Sequence, residues 1–315
     1  MAFSFPRRIQ QLQEEIIKLK EAEDIVLMAH YYQRPEIQAI ADVLGDSLGL
    51  SRTAQKMEKS GTIVFAGVKF MAETASILNP DKNVYIPDTG AECPMAQMCP
   101  ASEIVSIKQQ YDYPVVLYVN TLAEAKAQAD IMCTSANAVK ICQSLNSDAV
   151  IFGPDWNLGW HVWWKTGLQI IPVPEQGYCY VHRKFLPEDF QKLKRQYPEA
   201  QITVHPECSP EVQQLADHVG STEQIKNFIL NSDSTDFIIG TEVGLEFAIQ
   251  KENTLQKNLH LHFAREDAVC LMMKLITLEK IRDVIVRRPE ANLVKVPDHI
   301  ANGARKSIQR MLDLS

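Results

Sequence analysis

Three cysteines fall at the same place in three successive stretches of this chain. Cys93 follows NVYIPDTGAE, Cys179 follows LQIIPVPEQGY and Cys270 follows LHLHFAREDAV, at spacings of 86 and 91 residues. Three thiolates from equivalent loops suit a four-iron cluster with one iron lacking a protein ligand, or a zinc ion with an open position. Either implies Lewis-acid chemistry. The competing reading is three structural thiols, because cysteine is among the residues most often buried. No CxxC pair occurs, so a metal site has to be assembled from distant segments. Cys133, Cys142 and Cys208 lack the symmetry and read as core or loop thiols; Cys99 is an alternative ligand beside Cys93.

Acid/base equipment lies at the ends of apolar runs. HYYQRPE puts His30 and two tyrosines directly after IVLMA, and HPECSPE puts His205 and Glu207 after QITV. A histidine titrates near working pH and burial can raise a glutamate towards it, so His205 with Glu207 could move protons to and from carbon and nitrogen. Ser47 in GDS, Ser135 in TSANA, and Ser221 and Thr222 in GST precede segments of helical period. Helix amino ends hold phosphate or carboxylate, although plain capping accounts for any single one. Three facing inward would hold a polyanion. GYCYVHRKF places His182, Arg183 and Lys184 beside Cys179, a local positive charge in an acidic protein. All four tryptophans, Trp156, Trp160, Trp163 and Trp164, share DWNLGWHVWWKTG, whose helical spacing predicts packing in the core or at a domain interface.

The elements that position these residues repeat. ADVLGDS, ADIMCTS and ADHVGST begin at Ala41, Ala129 and Ala216, offsets of 88 and 87. Apolar runs keep the same order around them: IVLMAH, VVLYVN and QITVH, then TIVFAG, DAVIFG and DFIIG, then NVYIP, LQIIPV and LHLHF. Such β-rich runs alternating with helical segments (EIQAIADVLG, EVQQLADHVG, TLEKIRDVIV) indicate three repeated α/β/α sandwich domains with parallel sheets. The expected blocks are 1–92 completed by 271–315, then 93–178 and 179–270, packed around one shared site; if they are arranged about a pseudo-threefold axis, their equivalent loops meet there. Ligands gather beyond the carboxyl ends of parallel strands. His30, Asn120 and His205 end the first runs and are expected there. VPDHIANGARKSIQRMLDLS reads as a closing helix behind Pro297.

Composition narrows the classes. The 315 residues carry 32 basic and 39 acidic side chains, a net charge of −7, which argues against a nucleic-acid partner. At 46% hydrophobic and 23% charged the chain is ordinary globular material. No run approaches the ~18 apolar residues of a membrane helix, and MAFSFPRRIQQLQEEIIKLK reads as an amphipathic helix rather than a signal peptide. A cytoplasmic protein away from membranes is the expectation, with seven cysteines kept as thiols.

From about Ile25 onward, these motifs resemble the iron–sulfur quinolinate synthase family. The segments are AHYYQRPEIQAIADVLGDSLGLSR, VFAGVKFMAETASILNPDKNVYIPD, AECPMAQMCP, YVNT, TSANA, GPDWNLG, GYCYVHRKF, HPECSPEVQQLADHVGSTEQI and CLMMKLITLEK. The resemblance implies three α/β/α sandwich domains about a pseudo-threefold axis with the active site at their junction. It also implies one [4Fe-4S] cluster held by Cys93, Cys179 and Cys270 with the fourth iron open, and excludes Cys99 and Cys208 as ligands. It implies condensation of iminoaspartate with dihydroxyacetone phosphate, losing phosphate and two waters, in de novo NAD biosynthesis. An oxidase or dehydrogenase would supply the iminoaspartate. Tyr32, His30 and Glu207 correspond to the proton-transfer set, Tyr118 and Asn120 to cavity-lining residues. Ser47, Ser135, His182, His205, Ser221 and Thr222 correspond to positions that bind carboxylate or phosphate oxygens. Trp156 and Trp160 depart from the pattern, which has a basic residue there in many relatives. Another iron–sulfur dehydratase or lyase, or a non-catalytic iron–sulfur or zinc sensor, competes with this reading.

Overall fold

The computed structural model describes residues 4–56 and 61–315. Runs rich in Val, Ile, Leu and Phe become strands because their side chains pack on both faces of a sheet. Among the described residues there are twelve: β1 Ile25–His30, β2 Val43–Gly45, β3 Thr62–Ala66, β4 Asn83–Tyr85, β5 Val115–Tyr118, β6 Ile131–Cys133, β7 Ala149–Gly153, β8 Gln169–Pro172, β9 Gln201–Val204, β10 His218–Val219, β11 Asp236–Gly240 and β12 His260–Phe263. They form three four-stranded sheets with one shared topology, β2-β1-β3-β4, β6-β5-β7-β8 and β10-β9-β11-β12. Every pairing within them is parallel. Helices flank each sheet, so the repeated α/β reading of the sequence holds. The chain falls into two compact units. The first holds residues 1–93 and 270–302 with the first sheet; the second holds 94–269 and 303–315 with the other two.

The repeated Ala-Asp pair has a structural reason. Asp42, Asp130 and Asp217 each accept the backbone N–H of the residue fifteen positions earlier, Leu27, Val115 and Ile202, all at 2.8 Å. The aspartate's own N–H returns to that residue's carbonyl, at 2.9, 3.0 and 2.9 Å. This two-way clamp sets the register in which the second strand of each sheet meets the first, pairing Met28 with Val43, Val116 with Ile131 and Thr203 with His218. The segments EIQAIADVLG and EVQQLADHVG, which read as single helices, are therefore corrected. Each is a short helix, Pro35–Gln38 or Pro210–Gln214, followed by a clamp and a strand. The aspartate bonds a neighbouring strand, which a continuing helix would not allow.

The clamp fixes a second equivalence. Gln38, Lys126 and Gln213 stand four residues before the three aspartates and are wholly buried. Gln38 donates to the Tyr31 and Gln33 carbonyls, Gln213 to those of Pro206 and Cys208, and Lys126 to that of Thr121. Each thus ties down the turn that leaves the first strand. TLEKIRDVIV forms the helix Leu278–Arg287, capped by Thr277, and the closing helix is Asp298–Leu314, directly after Pro297. The amino-terminal helix is Arg7–Ala22, residues 1–3 lying outside the described residues. No described helix is long and apolar enough to cross a membrane.

Candidate active site

Counting back from the clamps puts His30, Tyr118 and His205 at one position, twelve residues before each aspartate, and Tyr32, Asn120 and Glu207 at another, ten before. The expectation that Asn120 matches the two histidines is thereby corrected. Tyr118 is their counterpart, because β5 ends there while Asn120 lies on the turn beyond. Tyr32 and Glu207 belong to the same copy of the turn as their respective histidines.

In the first unit His30 ends β1 and is 4% exposed. Its Nδ1 accepts the Tyr32 N–H at 3.1 Å, and the Tyr32 ring meets it edge-on with centroids 4.6 Å apart. A nitrogen that accepts a backbone N–H cannot carry a proton, so the neutral ring has its proton on Nε2, available to an oxygen. Lys274 donates to the Tyr32 carbonyl, and Arg34 to the Lys274 carbonyl at 2.8 and 3.1 Å. The Tyr32 turn is thus fastened to the short helix Leu271–Lys274, which Cys270 precedes. Ser47 is the first residue of the helix Ser47–Gln55; Asp46, not Ser47, caps it by accepting the Gly49 N–H at 2.9 Å.

The second unit holds a buried polar cluster. The Glu207 carboxylate is 2.7 Å from His182 Nδ1 and 3.7 Å from His205 Nδ1. His182 Nδ1 is also 3.3 Å from the Cys179 Sγ, and its Nε2 is 3.0 Å from the Thr241 hydroxyl. The two imidazoles stack with centroids 4.4 Å apart. His205 Nδ1 accepts the Glu207 N–H at 3.3 Å, the counterpart of the His30–Tyr32 bond. The Tyr118 hydroxyl bonds both Glu207 and Ser135. Burial would raise the Glu207 carboxyl, but the His205 and His182 imidazoles outweigh it and hold this acid well below the usual carboxylate range. Tyr118 is pushed well up, first by burial and then by the Glu207 charge.

The anion-binding positions differ among themselves. Ser221 caps the helix Thr222–Asn231, accepting the Gln224 N–H at 3.3 Å, with Thr222 its first residue. Ser135 lies in a turn, and Asn137 stands at the cap position of Ala138–Gln143. The clamp register pairs Ser47 with Ser135 and Thr222, three hydroxyls at one repeated place. Asn120 Oδ1 is buried with no partner, an acceptor left for a bound molecule.

Each cysteine loop is fastened in the same way. The N–H groups of Lys69, Trp156 and Val243 bond the carbonyls of Ala91, Gly177 and Ala268, at 2.8, 2.9 and 3.2 Å. Each of those carbonyls stands two residues before Cys93, Cys179 or Cys270. These three thiols are partly exposed, whereas Cys99, Cys133, Cys142 and Cys208 are buried. Burial pushes the Cys99 and Cys142 thiols up to about 12 and those of Cys133 and Cys208 well above their usual value, which makes them poor thiolate donors. The chemistry of the donor set therefore favours Cys93, Cys179 and Cys270.

Sequence reasoning missed Asp155 and Thr241. Asp155 is buried, accepts the Leu158 N–H at 2.7 Å and the Cys179 N–H at 3.2 Å, and so joins a helix start to the cysteine loop. Burial, then repulsion from Glu207, pushes its carboxyl up. The signal was present as GVK, GPD and GTE after the third strands, but those residue types differ between repeats. The expectation for the tryptophans is also corrected. They lie on the helix Trp156–Thr166, yet Trp156, Trp163 and Trp164 are 42–48% exposed, because that helix turns only one narrow face, including Leu158, His161 and Val162, inward.

Comparison with known proteins follows the same lines. The family profile "NadA: Quinolinate synthetase A protein" matches residues 14–313. The chain is 51% identical over 308 residues to the quinolinate synthase of Methanothermobacter thermautotrophicus, covering 98% of this chain and 99% of the relative. It is 50% identical over 304 residues to that of Pyrococcus abyssi, with 96% and 99% covered. To that of Methanocaldococcus jannaschii it is 48% identical over 305 residues, with 95% and 97% covered.

Proposed function

Because the chain belongs to the quinolinate synthetase A (NadA) family, we propose that it condenses iminoaspartate with dihydroxyacetone phosphate to quinolinate, releasing phosphate and two waters, as a step of NAD biosynthesis. Cys93, Cys179 and Cys270 would hold the [4Fe-4S] cluster. Their support is the loop fastened identically in all three repeats, together with partly exposed thiols where the other four are buried. When bound, such a cluster supplies an iron without a protein ligand, a Lewis acid for a hydroxyl or carboxylate oxygen.

The chain's own residues supply the rest. Glu207, kept ionised by two imidazoles, acts as base towards a carbon- or nitrogen-bound proton. Tyr32, beside His30, exchanges protons with an oxygen during isomerisation and the late dehydration. His30 and His205, each with Nδ1 occupied by a backbone N–H, donate from Nε2 to substrate oxygens. Tyr118 and Asn120 orient intermediates, Asn120 through its unpartnered amide oxygen. Ser47, Ser135, His182, Ser221 and Thr222 bind carboxylate and phosphate oxygens. An enzyme that oxidises aspartate has to supply the unstable imine.

The observation that carries this reading is the buried Tyr118–Glu207–His182 cluster, which joins a carboxylate base to the partly exposed Cys179 thiol. The experiment is anaerobic incubation with aspartate, an aspartate-oxidising enzyme and dihydroxyacetone phosphate, assaying quinolinate and phosphate. Protein holding ~four irons and ~four sulfides should form both in equal amounts. Iron-loaded protein that forms neither overturns the proposal.

A further inference from the structure

Cys179, His182 and Glu207 form a second kind of metal site within the second unit alone. Their Sγ, Nδ1 and carboxylate oxygen lie within 4.8 Å of one another, with His182 central at 3.3 Å from the thiol and 2.7 Å from the carboxylate. A tetrahedral zinc ion with ligands at about 2.0–2.3 Å separates its donors by about 3.3–3.7 Å. Side-chain shifts of a few tenths of an ångström up to about one ångström would make the pocket fit. Sulfur, imidazole and carboxylate are the borderline-soft donor mix that zinc favours, and three protein ligands leave a fourth position open.

The surrounding groups are those a zinc site needs. Ligands to zinc are usually oriented by a hydrogen bond from behind. His182 Nε2 faces the buried Thr241 hydroxyl at 3.0 Å, Glu207 bonds the Tyr118 hydroxyl, and the Cys179 N–H is held by Asp155 at 3.2 Å. All three candidate ligands therefore have a partner that fixes their aim.

We propose that the cluster-free chain binds one divalent zinc ion through Cys179, His182 and Glu207, and that this ion excludes the iron–sulfur cluster by occupying the Cys179 thiolate. On binding, the thiol proton leaves to solvent and the imidazole proton resides on Nε2, donated to the Thr241 hydroxyl. Neither oxidant nor reductant is needed. The zinc site stands whatever reaction the enzyme performs; its exclusion of the cluster rests on the proposed role of Cys179 as a cluster ligand.

The test uses the full-length chain stripped of metal under anaerobic conditions and titrated with zinc chloride by calorimetry. One ion per chain is expected. Thr241→Val should weaken binding about 10–100-fold, and Cys179→Ser, His182→Ala and Glu207→Gln should weaken it more, while Cys93→Ser and Cys270→Ser bind as the parent does. Cobalt in place of zinc should give the thiolate charge-transfer absorption of one sulfur. Equal loss in Cys93→Ser or Cys270→Ser, or a three-sulfur cobalt spectrum, overturns the proposal in favour of an ion held by the three cysteines. Should His182→Ala melt early, Thr241→Val decides, and unchanged affinity there overturns the proposal. Zinc-loaded protein should also resist cluster reconstitution until a chelator is added; prompt reconstitution with zinc retained overturns the exclusion.

Discussion

Tyr32 and Glu207 occupy the same position in two copies of one turn, each presenting its backbone N–H to the Nδ1 of the histidine two residues before it, at 3.1 and 3.3 Å. Two different proton-transfer groups, a phenol and a carboxylate, thus arise from one repeated backbone device. Tyr32→Phe and Glu207→Gln keep that backbone and remove only the reacting group. Each should lower the rate of quinolinate formation by about 10²–10⁴-fold with iron content unchanged. Loss of iron in step with activity would show a structural role instead.

Gly177 carries the carbonyl that fastens the Cys179 loop, and a Cβ there would stand 1.9 Å from the Pro154 carbonyl oxygen. Backbone cannot yield as a flexible side chain can. Gly177→Ala should therefore displace the loop, cutting cluster content while the sheets still fold. Iron and sulfide per chain, beside a far-ultraviolet circular dichroism spectrum, check this. Full cluster loading of the variant would contradict it.

The aspartate clamp should contribute in every repeat, and most in the first, where Asp42 also pairs with the buried Lys20 ammonium at 2.6 Å. Asp42→Ala, Asp130→Ala or Asp217→Ala leaves a strand N–H without its acceptor, a loss of about 1–3 kcal/mol. Urea unfolding of the three variants measures it. A variant as stable as the parent would mean that water replaces the carboxylate.

Stability should fall with acid. His161 and His218 are both held below the ordinary imidazole value of 6.5, mainly by burial, so both are neutral in the fold. The unfolded chain protonates them as pH drops through 6.5, and so binds more protons than the folded one. Their contribution is complete above that pH and is lost progressively below it, levelling off beneath the folded values. Melting temperatures from about pH 7.5 down to pH 5 should decline, and His161→Gln should flatten part of the slope. An unaltered slope in the variant would remove His161 from the account.

The cysteines sort by exposure. Cys99→Ala, Cys133→Ala, Cys142→Ala and Cys208→Ala should keep the cluster, whereas Cys93→Ser, Cys179→Ser or Cys270→Ser should each lose it. Absorbance and iron content after anaerobic reconstitution distinguish the two groups. Retention of the cluster in Cys93→Ser with its loss in Cys99→Ala would exchange those two neighbours as ligands.

The period of the chain by itself determined three parallel α/β units, because an 88- and 87-residue recurrence of Ala-Asp with apolar runs in fixed order admits few other arrangements. It also determined which three cysteines share a place, since that needs only element order. Tertiary structure decided what pattern leaves ambiguous. Asp42 and Asp217 break an apparently helical run because their carboxylates bond a strand fifteen residues away, a contact invisible to local periodicity. The same clamps set the true register and pair Tyr118, rather than Asn120, with the histidines. Asp155 and Thr241 joined the site only through space, since one reaches the Cys179 loop 24 residues on and the other an imidazole 59 residues back. Exposure of Trp156, Trp163 and Trp164 was likewise decided by which narrow face of their helix meets the sheet, a matter of packing that composition does not carry.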